Sequence, residues 1–470
     1  MANPRRKRMT LHLRAQAASA NQAVYKRIVG TGGIGSGMFF LLEGNRTLGR
    51  NETRMAELVP FRDYCKLHII LHYISVLTGT GAGGTMEVVP IGQVGRDEAG
   101  ERLLREMAEA GMDTQHVAVS EEAATLFAVC FQYPDSTGGN LTTLNSASGK
   151  VSTEQIDAYF RKAAKFDSHE KGIVLAVPEV PLETRIRLLE QGRAAGYFTA
   201  ASLLPAETAE FAARGGIELT DLLALNIDEA AALAAIEPDC REAATGSESV
   251  AIRATANVAT PAAAIDAAPA AEASVGGDEA TAAAGQFSAF GEATAAAQFS
   301  AFGEATAAAA AQFSAFGDAT ATAAADSEAI ALACLRLLRR RNPRIAVCIT
   351  DGPRGAFGCA ADGRLERVPL LPAAAVATGG AGDAFLAGTL AGLSCGLPLT
   401  KGRDDTRFGE TPLASAMELG TLLASLSVTS PHTIHPTANA DLLGSYAAAN
   451  KLTFSPAFAA LFRTVPSQPN

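Results

Sequence analysis

A run of small residues that ends in an aspartate, Ala377-Thr378-Gly379-Gly380-Ala381-Gly382-Asp383, is the stretch best suited to do chemistry. It leads into an apolar segment that predicts a helix. Backbone N–H groups at a helix start, with the helix dipole behind them, bind a phosphate or a developing anion. A carboxylate beside such an anion hole is placed to accept a proton from a hydroxyl. The run therefore predicts phosphoryl transfer to an alcohol, with Asp383 as general base and Gly380, Ala381 and Gly382 as the anion hole.

A simpler interpretation is that the glycines serve close helix packing and that Asp383 caps the helix. The wider pattern favours chemistry, because the run resembles the D-T-x-G-A-G-D signature of the ribokinase, or pfkB, family of carbohydrate kinases. Ala377 stands where that family usually carries an acidic residue that helps to organise a monovalent-cation site. The matching residues are Thr378, Gly380, Ala381, Gly382 and Asp383.

A second motif, Asn226-Ile227-Asp228-Glu229, follows the predicted strand Leu222 to Leu225. The carboxyl edge of a parallel sheet is where ligands bind in open α/β folds. The motif resembles the N-x-x-E motif of the same family, which implies that Glu229 organises Mg²⁺ through water and that Asn226 supports the phosphates of ATP. The alternative is a capping box at a helix start.

The loop Thr350-Asp351-Gly352-Pro353-Arg354-Gly355 follows a predicted buried strand, Ile345 to Thr350. It resembles the nucleotide-side loop of the family. The resemblance implies that Thr350, Gly352 and Gly355 line the phosphates and ribose of ATP, and that Thr378 is a further contact to the nucleotide.

The substrate side carries a weaker signal. Phe39 to Leu42 and Arg46 to Leu48 predict a hairpin, which the resemblance places in a small β-sheet lid over the substrate. The first strand of the family usually ends in an aspartate that grips sugar hydroxyls, and Ser36 and Gly37 stand in that neighbourhood. The candidate substrate contacts are Gly33, Ser36, Asn51 and Arg54.

Polar side chains precede a predicted apolar helix, Leu67 to Leu77. They would face a pocket if the hairpin is a lid, and a solvated helix face is the equal alternative. The family's first signature is echoed only loosely, at 79–84. The polar residues are Arg62, Asp63, Lys66 and His68.

Strand and helix patterns alternate through most of the chain, which predicts the βαβ rhythm of a parallel sheet. Together with the resemblance, this predicts an α/β, ribokinase-like, doubly wound and mostly parallel sheet with helices on both faces and a small β lid. Residues 1–27 are expected to form a basic flexible tail. The kinase domain is expected at 28–240, with the lid, and at 326–470, with the nucleotide-binding and catalytic part.

The segment 241–325 is rich in alanine and repeats Gln-Phe-Ser-Ala-Phe-Gly at Gln286, Gln298 and Gln312. Because it carries little apolar bulk to offset the entropy of ordering, it is expected to be a low-complexity insertion. Its paired phenylalanines are alternatively short docking motifs for a partner protein.

Composition excludes several classes of function. A net charge of −10 argues against a nucleic-acid partner, since a phosphate backbone needs a basic face. Seven scattered cysteines without a C-x-x-C pair indicate neither a zinc site nor a disulfide framework. No apolar run reaches the ~18 residues of a membrane span, so a cytoplasmic protein without a membrane partner is expected.

The sequence thus predicts an ATP- and Mg²⁺-dependent kinase that phosphorylates a hydroxyl of a sugar or sugar-like small molecule. The lid is a candidate surface for a homodimer. The alternatives are a weakly catalytic nucleotide or metabolite sensor on the same fold and, more distantly, a scaffold that presents the phenylalanine repeats.

Overall fold

The computed structural model describes residues 12–13, 25–80, 86–135, 138–163, 171–236 and 317–462. The strands are β1 Arg27–Thr31, β2 Gly35–Leu42, β3 Ala56–Tyr64, β4 Glu87–Gly95, β5 Val117–Ser120, β6 Leu126–Gln132, β7 Gly138–Thr142, β8 Gly172–Ala176, β9 Phe198–Ser202, β10 Leu222–Asn226, β11 Ala346–Thr350, β12 Ala356–Cys359 and β13 Leu365–Val368. The helices are α1 Lys66–Thr78, α2 Glu98–Glu109, α3 Thr153–Ala163, α4 Leu182–Ala194, α5 Thr208–Ala213, α6 Ile227–Ala234, α7 Gly317–Arg341, α8 Ala381–Ser394, α9 Ala416–Ser427, α10 Ala440–Ala449 and α11 Pro456–Leu461.

Nine strands form the main sheet in the order β13-β12-β11-β10-β9-β8-β1-β4-β5. Pairing is parallel from β5 to β11 and antiparallel only at β12 and β13. Strands β1, β4 and β8 to β12 are buried along almost their whole length, which is the pattern of a sheet covered on both faces. The prediction of a doubly wound, mostly parallel sheet is therefore confirmed.

Each face of the sheet is packed against its own set of helices. Along β1, Ile28 belongs to an apolar cluster with side chains of α1, α2, α8 and α9, while Val29 belongs to a second cluster with side chains of α3 to α7. Successive side chains of a strand point to opposite faces, so one strand feeds both cores.

Helices α8 and α9 pack closely through small residues. A Cβ atom on Gly388 would lie 2.8 Å from the Cα of Gly420, so a larger residue at this crossing would push the two helices apart. The crossing fixes α8, whose first turn carries the predicted base Asp383.

A second sheet of four strands, in the order β3-β2-β6-β7, corresponds to the predicted lid. The predicted return strand at Arg46 to Leu48 is wrong, because β2 pairs with β3, from Ala56 onward. Residues between them are held by side chains instead: Glu52 accepts hydrogen bonds from Arg46, Gly49 N and Arg54. These hydrogen bonds to Glu52, and not strand pairing, hold the loop between β2 and β3 together.

Residues 241–316 of the predicted insertion at 241–325, and most of the predicted tail at 1–27, lie outside the described residues. The backbone of 317–325 belongs to α7, which therefore begins inside the range assigned to the insertion. In the described ranges, no helix combines the length and the apolar character that a membrane span requires.

Candidate active site

A cavity of about 100 Å³ lies at the carboxyl edge of the main sheet, where β10 and β11 end. Asn226 and Thr350 are the last residues of these two strands and are register partners. Gly382 and Asp383, in the first turn of α8, also line the cavity. The cavity thus brings together residues from all three sequence motifs.

The start of α8 depends on a left-handed residue. Gly380 is the N-cap, with φ of 78°, and a Cβ there would lie 2.8 Å from the carbonyl oxygen of Thr433. Glycine is therefore required by both its backbone angle and its surroundings. The first bond of the helix runs from Ala384 N to Gly380 O at 2.8 Å.

The predicted anion hole is only partly available. Ala381 N donates to Thr378 O at 3.2 Å, so this group is engaged inside the turn. The N–H groups of Gly382 and Asp383 precede the first i→i−4 bond, and the helix offers them no acceptor. The donors that remain for an anion are those of Gly382 and Asp383.

Asp383 forms an ion pair with Lys66, the first residue of α1. Lys66 Nζ lies 3.6 Å from Asp383 Oδ1, and the Asp383 side chain is 17% exposed. Burial raises the pKa of Asp383, the Lys66 ammonium opposes that rise, and the Asp63 carboxylate adds to it. Asp383 is thus a sheltered carboxylate with one adjacent cation, which suits a proton acceptor.

Lys66 is the counter-charge for several acids. Burial alone would lower its pKa, but Asp383, Glu229 and Glu179 together raise it. One ammonium therefore faces three carboxylates. Each of these acids that is ionised adds negative charge, which favours the binding of a further cation.

Glu229 and Asn226 form the capping box that was the alternative interpretation of their motif. Asn226 N donates to Glu229 Oε2 and Glu229 N donates to Asn226 Oδ1, both at 2.8 Å. Both residues also line the cavity, and Glu229 is buried, which raises its pKa against the field of Lys66. Capping uses one carboxylate oxygen, so the cap does not exclude a role of the other oxygen in the cavity.

The donor set of the cavity suits a hard cation. It contains the carboxylate of Glu229, the amide of Asn226 and the hydroxyls of Ser202 and Thr350. Ser202 Oγ is buried without a hydrogen-bond partner among the described residues. In those same ranges no three His, Cys, Asp or Glu side chains converge on one point. Mg²⁺ matches this set, since it prefers oxygen and keeps several waters.

The other predicted nucleotide contacts, Gly352, Gly355 and Thr378, do not line the cavity. Gly352 begins a short 3₁₀ turn after β11 and Gly355 follows it, with φ of 53° and 95°. Arg354 in this turn is paired with the buried Asp351, so it is not free for a phosphate. Thr378 is exposed and caps the turn with its carbonyl.

None of the four candidate substrate contacts lines the cavity. Asn51 and Arg54 lie in the loop between β2 and β3, where Arg54 pairs with Glu52 and donates to Arg46 O at 2.7 Å. Ser36 is buried in β2, and Gly33 packs against Glu179. Arg54 therefore holds the lid loop together.

Two further acids, Glu179 and Asp63, lie near Asp383. Glu179 has a left-handed backbone, with φ of 78°, and its Oε2 is buried without a partner among the described residues. Burial raises its pKa to about 7, opposed by Lys66. Asp63, on β3, accepts from the Cys130 thiol at 3.1 Å, and burial raises its pKa. Glu179 was missed because no sequence pattern predicts a glutamate with a left-handed backbone. Asp63 and Lys66 were named in the sequence analysis as groups that would face a pocket.

The comparisons with known proteins agree with this architecture. A family model described as pfkB family carbohydrate kinase matches residues 80–256 and 296–440. No curated protein matches the sequence significantly.

Solved structures share the fold at low sequence identity. A nucleoside kinase of Burkholderia thailandensis in complex with inosine has a TM-score of 0.53 at 14% identity, over 91% of this chain and 99% of that one. A ribokinase of Cryptococcus neoformans in complex with ADP has a TM-score of 0.52 at 14% identity, over 90% and 99%. Because the family model covers more than half of the sequence and the fold agrees, the chain belongs to the pfkB family of carbohydrate kinases.

Proposed function

We propose that the protein is an ATP-dependent kinase that transfers the γ-phosphoryl group to a hydroxyl of a sugar or a sugar-like small molecule. The observation that carries this proposal is the position of Asp383 in the cavity, in the first turn of α8 and opposite Asn226, Glu229 and Thr350. A base and an anion-binding helix start on one cavity wall are the parts that phosphoryl transfer to an alcohol requires.

In this proposal Asp383 removes the proton of the acceptor hydroxyl. Oδ1 is the oxygen nearest Lys66, which leaves Oδ2 to take the proton. The acceptor oxygen forms a bond to the γ-phosphorus, the bond from that phosphorus to the bridging oxygen breaks, and ADP leaves. The N–H groups of Gly382 and Asp383 stabilise the charge that develops on the transferred group.

The nucleotide would lie against the ends of β10 and β11. In this proposal Asn226 and Thr350 contact the phosphates of the nucleotide. Gly352, Gly355 and Thr378 contact the part of the nucleotide that lies outside the cavity. Glu229 would hold Mg²⁺ through water, with Ser202 Oγ as a further oxygen donor. When bound, Mg²⁺ supplies charge neutralisation at the phosphates.

A polyhydroxylated acceptor fits the substrate side. The unpartnered Glu179 Oε2 and the buried Asp63 carboxylate accept hydrogen bonds, and sugar hydroxyls donate them. Two related folds carry inosine or ADP in their structures, which accords with a nucleoside or sugar acceptor and a nucleotide donor.

We further propose that the lid sheet forms a homodimer. One of its faces is apolar in all four strands, since strand register aligns Phe40 with Leu58 and Phe131, and Val129 with Met38 and Leu141. Met38, Leu58 and Leu141 are 45%, 51% and 70% exposed. Large exposed apolar patches mark interaction sites.

The oligomeric state tests the dimer. The wild type should sediment as a dimer, and the double change Leu58→Glu with Leu141→Glu should yield a monomer. Leu204→Glu, at a 44% exposed leucine outside the lid, is the matched control and should leave the dimer intact. A monomeric wild type refutes the proposal.

The kinase function is tested by ADP formation from Mg-ATP with a panel of pentoses, hexoses and nucleosides, and mass analysis of the product. The proposal expects one acceptor class to gain a single phosphate. Tight binding of a panel compound without turnover would instead support a sensor.

A further inference from the structure

Lys66 occupies a place that helix electrostatics disfavours. It is the first residue of α1, the N-cap Cys65 makes no side-chain hydrogen bond, and the first turn contains no acidic residue. A cation at a helix N-terminus opposes the helix dipole. A lysine at this position is therefore unfavourable for α1 itself and calls for a reason outside the helix.

The ion pair with Asp383 uses only part of Lys66. At 3.6 Å, Nζ and Oδ1 attract one another without a hydrogen bond of ordinary length. An ammonium group has three N–H donors. The Lys66 side chain is 26% exposed and lines the cavity, so its donors are accessible from there.

The surroundings of Lys66 match a phosphoryl group. Gly382, whose N–H group has no acceptor within α8, lines the same cavity, and so does Glu229, the proposed magnesium residue. A terminal phosphate has three oxygens to distribute among such donors. Among the described residues that line the cavity, Lys66 is the only lysine or arginine.

We propose that Lys66 donates hydrogen bonds to the terminal phosphate of ATP and stays with that group during its transfer to the acceptor. This inference rests on the proposed kinase function and adds a residue that contacts the reacting group. Between turnovers, the ammonium is held in place by Asp383. When the proton of the acceptor hydroxyl moves to Asp383 Oδ2, the Asp383 side chain becomes neutral and attracts Lys66 less strongly. The Lys66 ammonium is then available to stabilise the negative charge on the transferred phosphoryl group.

This role separates ATP from ADP, because ADP lacks the phosphate that Lys66 would contact. Lys66→Met keeps the length of the side chain and removes the charge. It should weaken an ATP analogue about tenfold or more, the value of a lost charged hydrogen bond. Affinity for ADP should stay within about twofold. The rate of transfer should fall about 10²- to 10³-fold, as for other donors to developing charge.

The experiment measures the Kd of ADP and of a non-hydrolysable ATP analogue, with Mg²⁺, by calorimetry on the full chain. The variants are Lys66→Met, Lys66→Arg and, as a matched control, Lys150→Met at an exposed lysine. Lys66→Arg should restore most of the preference for the ATP analogue, and the control should match the wild type.

The inference is overturned if the ratio of the two Kd values in Lys66→Met equals that of the wild type. This includes a parallel weakening of both nucleotides, which indicates a merely structural lysine. Failure of the wild type to bind either nucleotide would instead refute the proposed kinase function. The two failures are therefore distinguishable.

Discussion

Glu229 and Asn226 exchange two hydrogen bonds of 2.8 Å across the start of α6, and both residues line the cavity. The two interpretations of the N-x-x-E motif are therefore compatible. Glu229 Oε2 accepts from the backbone of Asn226, and its second oxygen remains for the cavity. The capping bonds alone do not explain why a buried carboxylate stands at this edge of the sheet. The proposed magnesium site explains it.

Glu229→Gln should raise the Mg²⁺ concentration needed for half-maximal turnover roughly tenfold or more, as for other residues that hold a metal indirectly. Stability should change little, because glutamine also completes a capping box. Titration of activity with MgCl₂ provides the measurement. Glu418→Gln alters the capping box of α9 and serves as the control, with an unchanged Mg²⁺ requirement. If Glu229→Gln has a normal Mg²⁺ requirement and lowered stability, Glu229 only caps α6 and does not hold Mg²⁺.

Glu179→Gln should stabilise the protein above neutral pH. Burial raises the pKa of Glu179 to about 7, so the folded state holds this proton where the unfolded state has lost it. The ionised carboxylate therefore costs stability progressively as pH rises from about 4.5 to about 7, and the cost is constant above that. Urea unfolding at pH 5 and pH 8 should show a gain for the variant on the order of 2 kcal/mol at pH 8 and little at pH 5. Glu109→Gln, at an exposed acid, is the control. A gain of equal size at both pH values would contradict this assignment.

Lys401→Met should destabilise the fold strongly. Lys401 Nζ pairs with Asp405 and, at 2.7 Å, with Glu418, and the side chains of the two acids are 4% and 2% exposed. Removing the cation leaves two buried carboxylates uncompensated, which typically costs about 3–5 kcal/mol. The matched control is Arg214→Met, which breaks the exposed pair with Glu210 and should cost about 0.5 kcal/mol or less. Equal small losses in chemical denaturation would show that the Lys401 network contributes little.

The sequence predicted the sheet because most of its strands are buried apolar runs. It indicated Asp383 as the candidate base because a glycine-rich run stands directly before it. The return strand of the lid was placed wrongly at Arg46 to Leu48. These residues belong to a loop that is held by side-chain hydrogen bonds to Glu52, and such bonds have no strand-like sequence pattern. The helix α1 was expected from Leu67, one residue late, because its N-cap, Cys65, makes no side-chain hydrogen bond and gives no capping signal.

The remaining site residues depend on relations that a linear sequence does not contain. Glu179 acquires its character from a left-handed backbone and from burial, and Lys66 meets Asp383 only through the packing of α1 on α8. Arg54 was predicted to contact substrate, and in the structure its guanidinium pairs with Glu52. Whether an arginine is free or paired is decided in three dimensions.

Single-turnover phosphoryl transfer by Asp383→Asn is the most direct test of the kinase mechanism. Asparagine keeps the shape of the side chain and cannot accept the hydroxyl proton as a base. Loss of a general base typically lowers the rate by about 10²- to 10⁴-fold, so transfer to the acceptor found in the panel should fall by that factor while thermal stability and nucleotide binding stay close to wild type. A rate equal to that of the wild type would remove Asp383 from the chemistry and leave the start of α8 as a binding loop only.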